Sequence, residues 1–234
     1  EKIDVEFFRK AWPGCQAKMT ISKDTLPYLA EGVKYIESLG FYCKATYGSG
    51  IEWDIDQNME ILERELTALV TYYSENEVPL CSLLDLDLRA IFCSKDIPFR
   101  YCGAGVDRLC YDMTGKCYPC QGLASVAVGD VKAKLFENET FKNFCLSEDN
   151  PCRECKWLRI CRTCFAANYM ETGSIEHNCL KMCILNRMAI MASSAVQFRR
   201  IMKKPVKTPE DMTTLKAVGL IQKEIMQEFG LKKQ

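Results

Sequence analysis

Apolar positions in the first hundred residues follow two periods in turn. Residues 16–22 read as a short strand; Leu26, Leu29, Val33 and Ile36 then recur at helical spacing behind a Ser22/Asp24 cap region, with Pro27 in the first turn and Gly40 as the stop. Residues 41–47, rich in aromatic and β-favouring side chains, read as a second strand. After a Gly48-Ser49-Gly50 loop, Met59, Leu62, Leu66, Leu69 and Tyr73 stripe a second helix. Strand, helix, strand, helix predicts parallel βαβ units and an α/β fold class. Two such units are too few to close a barrel or cover both faces of a sheet, so part of a parent sheet is expected to be missing.

Residues 79–92 are mostly apolar, broken by Asp85, Asp87 and Arg89, and read as a connection between the α/β part and the cysteine-rich part, with a boundary near Pro98. Between Cys102 and Cys183 no long amphipathic period survives, which predicts loops held by metal bonds in place of an apolar core. Helical patterning returns over 185–203 and 209–229. The second of these helices opens on Thr208-Pro209-Glu210-Asp211, a cap, a first-position proline and acidic first-turn residues, and stops at Gly230. The expected organisation is therefore 1–97, 98–184 and 185–234.

Composition narrows the function. Lysine plus arginine and aspartate plus glutamate number 31 each, so no net field steers nucleic acid or an anionic membrane. No run approaches the ~20 apolar residues of a membrane span, and the opening Glu1-Lys2-Ile3-Asp4 is neither a signal peptide nor a natural start; a cytoplasmic protein without its native N-terminus is expected. Cysteine is the outlier, at 15 residues. Cys15, Cys43, Cys81 and Cys93 precede residue 100, and the other 11 fall between Cys102 and Cys183. An odd count without an export signal argues against a disulfide framework and for metal ligation by thiolates.

The sharpest pattern is Cys152-Arg153-Glu154-Cys155, five residues, then Cys161-Arg162-Thr163-Cys164, with Cys179 fourteen residues later. Upstream, twelve residues separate Cys102 from Gly115 and four separate Gly115 from Cys120. Two residues between cysteines let both thiolates reach one metal or cluster while intervening amides donate to sulfur. Cys117/Cys120, Cys152/Cys155 and Cys161/Cys164 also suit four-cysteine zinc sites, and a non-catalytic structural zinc-binding interaction module is the alternative reading. Cys15, Cys43 and Cys81 read as buried apolar thiols, Cys145 and Cys183 as spare or structural ones, and His177 as a loop histidine beside the metal site.

From Cys102 through Gly115, Cys120, Cys152, Cys155, Cys161 and Cys164 to Cys179, the chain resembles the SPASM domain of radical S-adenosylmethionine (SAM) enzymes. One spacing departs from that pattern: two residues, not three, lie between Cys161 and Cys164. The Lys18-Met19-Thr20-Ile21-Ser22 strand, the following helix and Leu39-Gly40-Phe41 resemble the last βα units of a partial (β/α)6 radical SAM barrel. The resemblance implies two auxiliary [4Fe–4S] clusters with interleaved ligands, Cys102, Cys120 and Cys164 on the first and Cys152, Cys155, Cys161 and Cys179 on the second. Cys93, Cys110 and Cys117 are candidates for the ligand missing from the first, which some relatives leave open. It further implies a mostly irregular, cysteine-rich domain after the barrel, then C-terminal helices, and a parent enzyme that modifies a peptide or protein substrate using SAM and a third [4Fe–4S] cluster. The C-x3-C-x2-C motif for that third cluster is absent from the sequence, so this chain alone is expected to be inactive. Thr20 and Ser22, at the end of a predicted parallel strand, are the candidate SAM contacts. A helix cap explains Ser22 equally well.

Overall fold

The computed structural model describes residues 4–93 and 102–228; the boundary near Pro98 and the expected helix end at Phe229 and Gly230 lie outside them. The chain divides into two compact units, Glu1–Arg89 with Arg187–Gln234, and Ala90–Asn186. The C-terminal segment set apart in the sequence thus belongs with the first unit.

In the first unit, α1 (Val5–Ala11) precedes β1 (Gln16–Ile21), α2 (Leu29–Ser38), β2 (Tyr42–Tyr47) and α3 (Ile55–Glu75). β1 and β2 pair in parallel from Gln16↔Tyr42 to Ile21↔Tyr47, a right-sized βαβ unit with α2 as its crossover. Gln16, Lys18 and Thr20 are exposed, whereas Ile21, Cys43 and Ala45 are buried. α2 approaches so closely that a Cβ on Gly32 would stand 2.8 Å from Met19 Cε. Two parallel strands and one short antiparallel pair are the strands of the described residues, and they close no barrel.

The start of α2 differs from its sequence pattern. Pro27 sits in a 3-10 turn, Leu26–Tyr28, and the α-helix begins only at Leu29. Ser22 and Thr25 form a reciprocal cap: Ser22 N–H donates to Thr25 Oγ1 (2.8 Å) and Thr25 N–H to Ser22 Oγ (3.3 Å). The first turn of α2 is capped from another helix, Ala30 N–H donating at 3.0 Å to the buried carboxylate of Glu65 on α3. Asp54 caps α3 by accepting from Gln57 N–H at 3.2 Å. Trp53, just after the glycine loop, is 2% exposed and packs edge-on to Tyr47.

Residues 79–92 do more than connect. Ser82 lies along the outer edge of β2, its N–H donating to Cys43 O (3.0 Å) and its hydroxyl to Ala45 O (2.8 Å). Leu84 and Leu88 are fully buried.

The second unit carries a hairpin of β3 (Cys110–Tyr111) and β4 (Cys117–Tyr118), then the single turns α4 (Ser125–Val128) and α5 (Asp130–Ala133), and α6 (Phe165–Thr172). The expectation that metal bonds replace an apolar core here is corrected: Tyr118, Leu123, Phe136, Phe141 and Phe165 form a buried cluster. Phe165 is its centre, with ring centroids 4.6 Å from Phe141 and 4.8 Å from Phe144. Short elements, widely spaced in sequence, supply these rings, so no helical or strand period announces them.

α7 (Leu180–Lys203) begins five residues earlier than its pattern, directly after Cys179, and α8 (Pro209–Glu228) follows. In the first unit, Arg200 of α7 gathers the carbonyls of Tyr73 (2.9 Å), Asn76 (2.9 Å) and Val78 (2.7 Å), closing the C-terminal end of α3. Thr208 and Asp211 cap α8 reciprocally. No described helix is long and apolar enough to cross a membrane.

Candidate metal centre

The pattern cysteines Cys102, Cys120, Cys152, Cys155, Cys161, Cys164 and Cys179 all lie in the second unit, and all 15 cysteines of the chain are thiols outside any disulfide. Each is set by a local turn. Gly115 has φ +86°, a left-handed conformation that lets the β3–β4 hairpin reverse and send the chain on to Cys120. The hairpin tip is held by Asp112, whose carboxylate accepts from Thr114 N–H (2.8 Å) and Lys116 N–H (3.0 Å).

Cys152 lies within one 3-10 turn, Pro151–Glu154, that Cys155 ends, and Cys161 ends the next, Leu158–Ile160. Buried Asn150 starts the first turn by accepting from Cys152 N–H at 2.9 Å. Its amide donates to Glu176 O at 3.2 Å. Burial works to raise the Glu176 carboxyl, but Ser147, through its N–H and hydroxyl at 2.8 Å each, and Asn150 outweigh it and hold the group below the usual carboxylate range. Cys164 is the N-cap residue of α6, which ends at left-handed Gly173. The loop from there to Cys179 is tied back to α6 by Asn168 Nδ2 donating to Ile175 O (3.1 Å) and by the Thr172 hydroxyl near His177 O (3.2 Å).

Cys102 and Cys164, distant from Cys120 in sequence, lie close enough to act on the ionisation of its thiol. The Cys120 thiol is pushed up, first by burial and then by the nearby Cys164 and Cys102 thiols, while the N–H groups of Gly122 and Leu123 donate to its sulfur and oppose the shift. Of the three candidates for a further ligand, Cys110 pairs with Tyr118 across the hairpin and packs against the same apolar cluster as Cys120. Cys117 pairs with Tyr111 on the other face, where thiol and phenol hydrogen-bond. Cys93 is exposed.

Cys161 has a partner that cysteine spacing does not announce: Asn186 Nδ2 stands 3.8 Å from its Sγ. Asn186 lies seven residues after Cys179, two helical turns on, and starting α7 at Leu180 is the signal that would have found it. His177 is exposed in its loop. Thr20 is exposed on β1, and the Ser22 hydroxyl is engaged in its cap with Thr25; both belong to the first unit.

Among the described residues, no three cysteine, histidine, aspartate or glutamate side chains converge on one point at metal-bonding distance. The donor set, soft thiols from several turns with backbone and side-chain amides directed at two of the sulfurs, is of the type that either zinc or an iron–sulfur cluster takes. Compared with protein-family models, curated proteins and solved structures, the chain has no match.

Proposed function

We propose that the second unit holds the two auxiliary [4Fe–4S] clusters of a radical SAM enzyme with a SPASM domain, a cytoplasmic enzyme that modifies a peptide or protein. In this reading β1, α2, β2 and α3 are the last βα units of a partial barrel, and SAM and a third [4Fe–4S] cluster bind elsewhere in the parent polypeptide. The observation that supports it is that Cys102 and Cys164, which the resemblance assigns with Cys120 to one cluster, lie close enough to Cys120 to act on the ionisation of its thiol.

Cys102, Cys120 and Cys164 bind the first cluster, and Cys110 is the best-positioned fourth donor. Cys152, Cys155, Cys161 and Cys179 bind the second. The N–H groups of Gly122 and Leu123 stabilise negative charge on the Cys120 sulfur. Asn150 fixes the turn that separates Cys152 from Cys155. Bound there, the clusters would supply one-electron redox chemistry.

The test is the iron, zinc and acid-labile sulfide content of protein purified without oxygen, read with its visible spectrum. About eight iron and eight sulfide per chain, with a brown absorption bleached by dithionite, is the expected result. One or two zinc ions per chain, without sulfide or colour, would sink the proposal and leave a structural zinc module.

A further inference from the structure

We infer that Asn186 is a positioning residue that donates a hydrogen bond to the sulfur of Cys161 and so raises the reduction potential of the cluster held by Cys152, Cys155, Cys161 and Cys179. The inference rests on the iron–sulfur reading above.

Three features of the fold support it. Asn186 is 5% exposed, and a buried side-chain amide must place its N–H donors on protein acceptors. Its Nδ2 is 3.8 Å from Cys161 Sγ, within reach for a weak N–H···S bond. It also stands on α7, whose first turn follows directly on Cys179 and bonds back to it through Cys183 N–H and Cys179 O at 3.0 Å. Ligation by Cys179 would therefore anchor the same helix that carries the donor. Cys161, at the end of its 3-10 turn, is joined to α7 through this side chain.

The sign follows from charge. Reduction adds an electron to the cluster iron and so raises the negative charge borne by its sulfurs, and a donor aimed at a sulfur stabilises the more negative state. Removing the donor disfavours reduction. Unlike the backbone donors at Cys120, this one can be deleted by substitution.

The experiment is a potentiometric titration of the full chain, anaerobically loaded with iron and sulfide, followed by electron paramagnetic resonance. In Asn186→Leu, which keeps the volume and loses the donor, the reduction equilibrium of one cluster should weaken about tenfold, a 59 mV fall for one electron, while the other cluster keeps its potential. Unchanged potentials, or a rise, with full iron and sulfide in the variant overturn the inference and leave the cluster assignment standing. Wild-type protein without iron and sulfide overturns the cluster assignment itself. Should Asn186→Leu fail to fold, wild-type protein labelled with 15N-asparagine decides: a 15N coupling to one reduced cluster is expected, and none in pulsed spectra of either cluster refutes the bond.

Discussion

Tyr73 links α3, α2 and the 79–92 segment of the first unit through one hydroxyl, and its removal has a calculable cost. The side chain is fully buried; its hydroxyl donates to Glu37 Oε1 and accepts from Cys81 N–H at 3.0 Å. Burial, then the adjacent Cys81 and Glu37, push the phenol up, which favours its protonated, donating form. Tyr73→Phe keeps the ring and its packing while stripping both bonds. The Cys81 N–H is left without an acceptor in a buried site, and the half-buried Glu37 carboxylate loses one of its two tyrosine donors. An unsatisfied buried donor costs about 1–3 kcal/mol and a bond to a charged acceptor contributes about 1.5–3, so a loss of about 3 kcal/mol is expected after partial relaxation. In a chain of this size that lowers Tm by roughly 6–12 °C. Urea unfolding followed by the fluorescence of buried Trp53 measures it. A loss below about 0.5 kcal/mol, the ordinary range for a surface substitution, would refute the claim that this hydroxyl holds the three elements together.

Glu37 gives the same region a pH dependence. Burial, against the hydrogen bonds from Tyr73 and Tyr72 and the charge of Arg200, raises its carboxyl above the ordinary 4.5. The unfolded state therefore ionises first, and stability present below pH 4.5 is lost as pH rises through the folded value. Urea midpoints of Glu37→Gln, which can still accept from Tyr73, should gain on wild type across that rise; a constant difference would contradict the shift. Phe165→Ala, at a fully buried ring, should cost about 3–5 kcal/mol and make the second unit protease-sensitive in metal-free protein. Equal protease resistance would mean that the aromatic cluster does not hold that unit. Cys110→Ser should lower the iron retained after anaerobic desalting, while Cys117→Ser should not; the reverse ranking would reassign the fourth donor of the first cluster.

The alternation of elements in the first unit was legible because each period is carried by its own side chains: the stripe through Leu62, Leu66, Leu69 and Tyr73 is buried along α3. Pro27 was visible, but its effect was not. It shapes a 3-10 turn, and the α-helix waits for Leu29, where Glu65 supplies a cap from another helix. Contacts of that kind, like Arg200 closing α3, join residues whose sequence separation hides them. Cysteines masked the start of α7, because Cys179 and Cys183 point to ligation where Leu180 already begins a helix. Spacing alone could not group Cys102 with Cys120 and Cys164; only the family pattern suggested that set. The core around Phe165 stayed hidden since its aromatic residues come from turns too short to show a period.

Mössbauer spectroscopy of the chain produced in 57Fe medium and kept free of oxygen tests the presence of two clusters in the second unit most directly, since it counts every iron and reports its ligand field. The predicted result is that nearly all absorbing iron belongs to diamagnetic [4Fe–4S] centres, about eight atoms per chain, with half of it lost in a Cys152→Ser/Cys155→Ser double variant. Iron in isolated tetrathiolate sites, or no bound iron beside stoichiometric zinc, would contradict it.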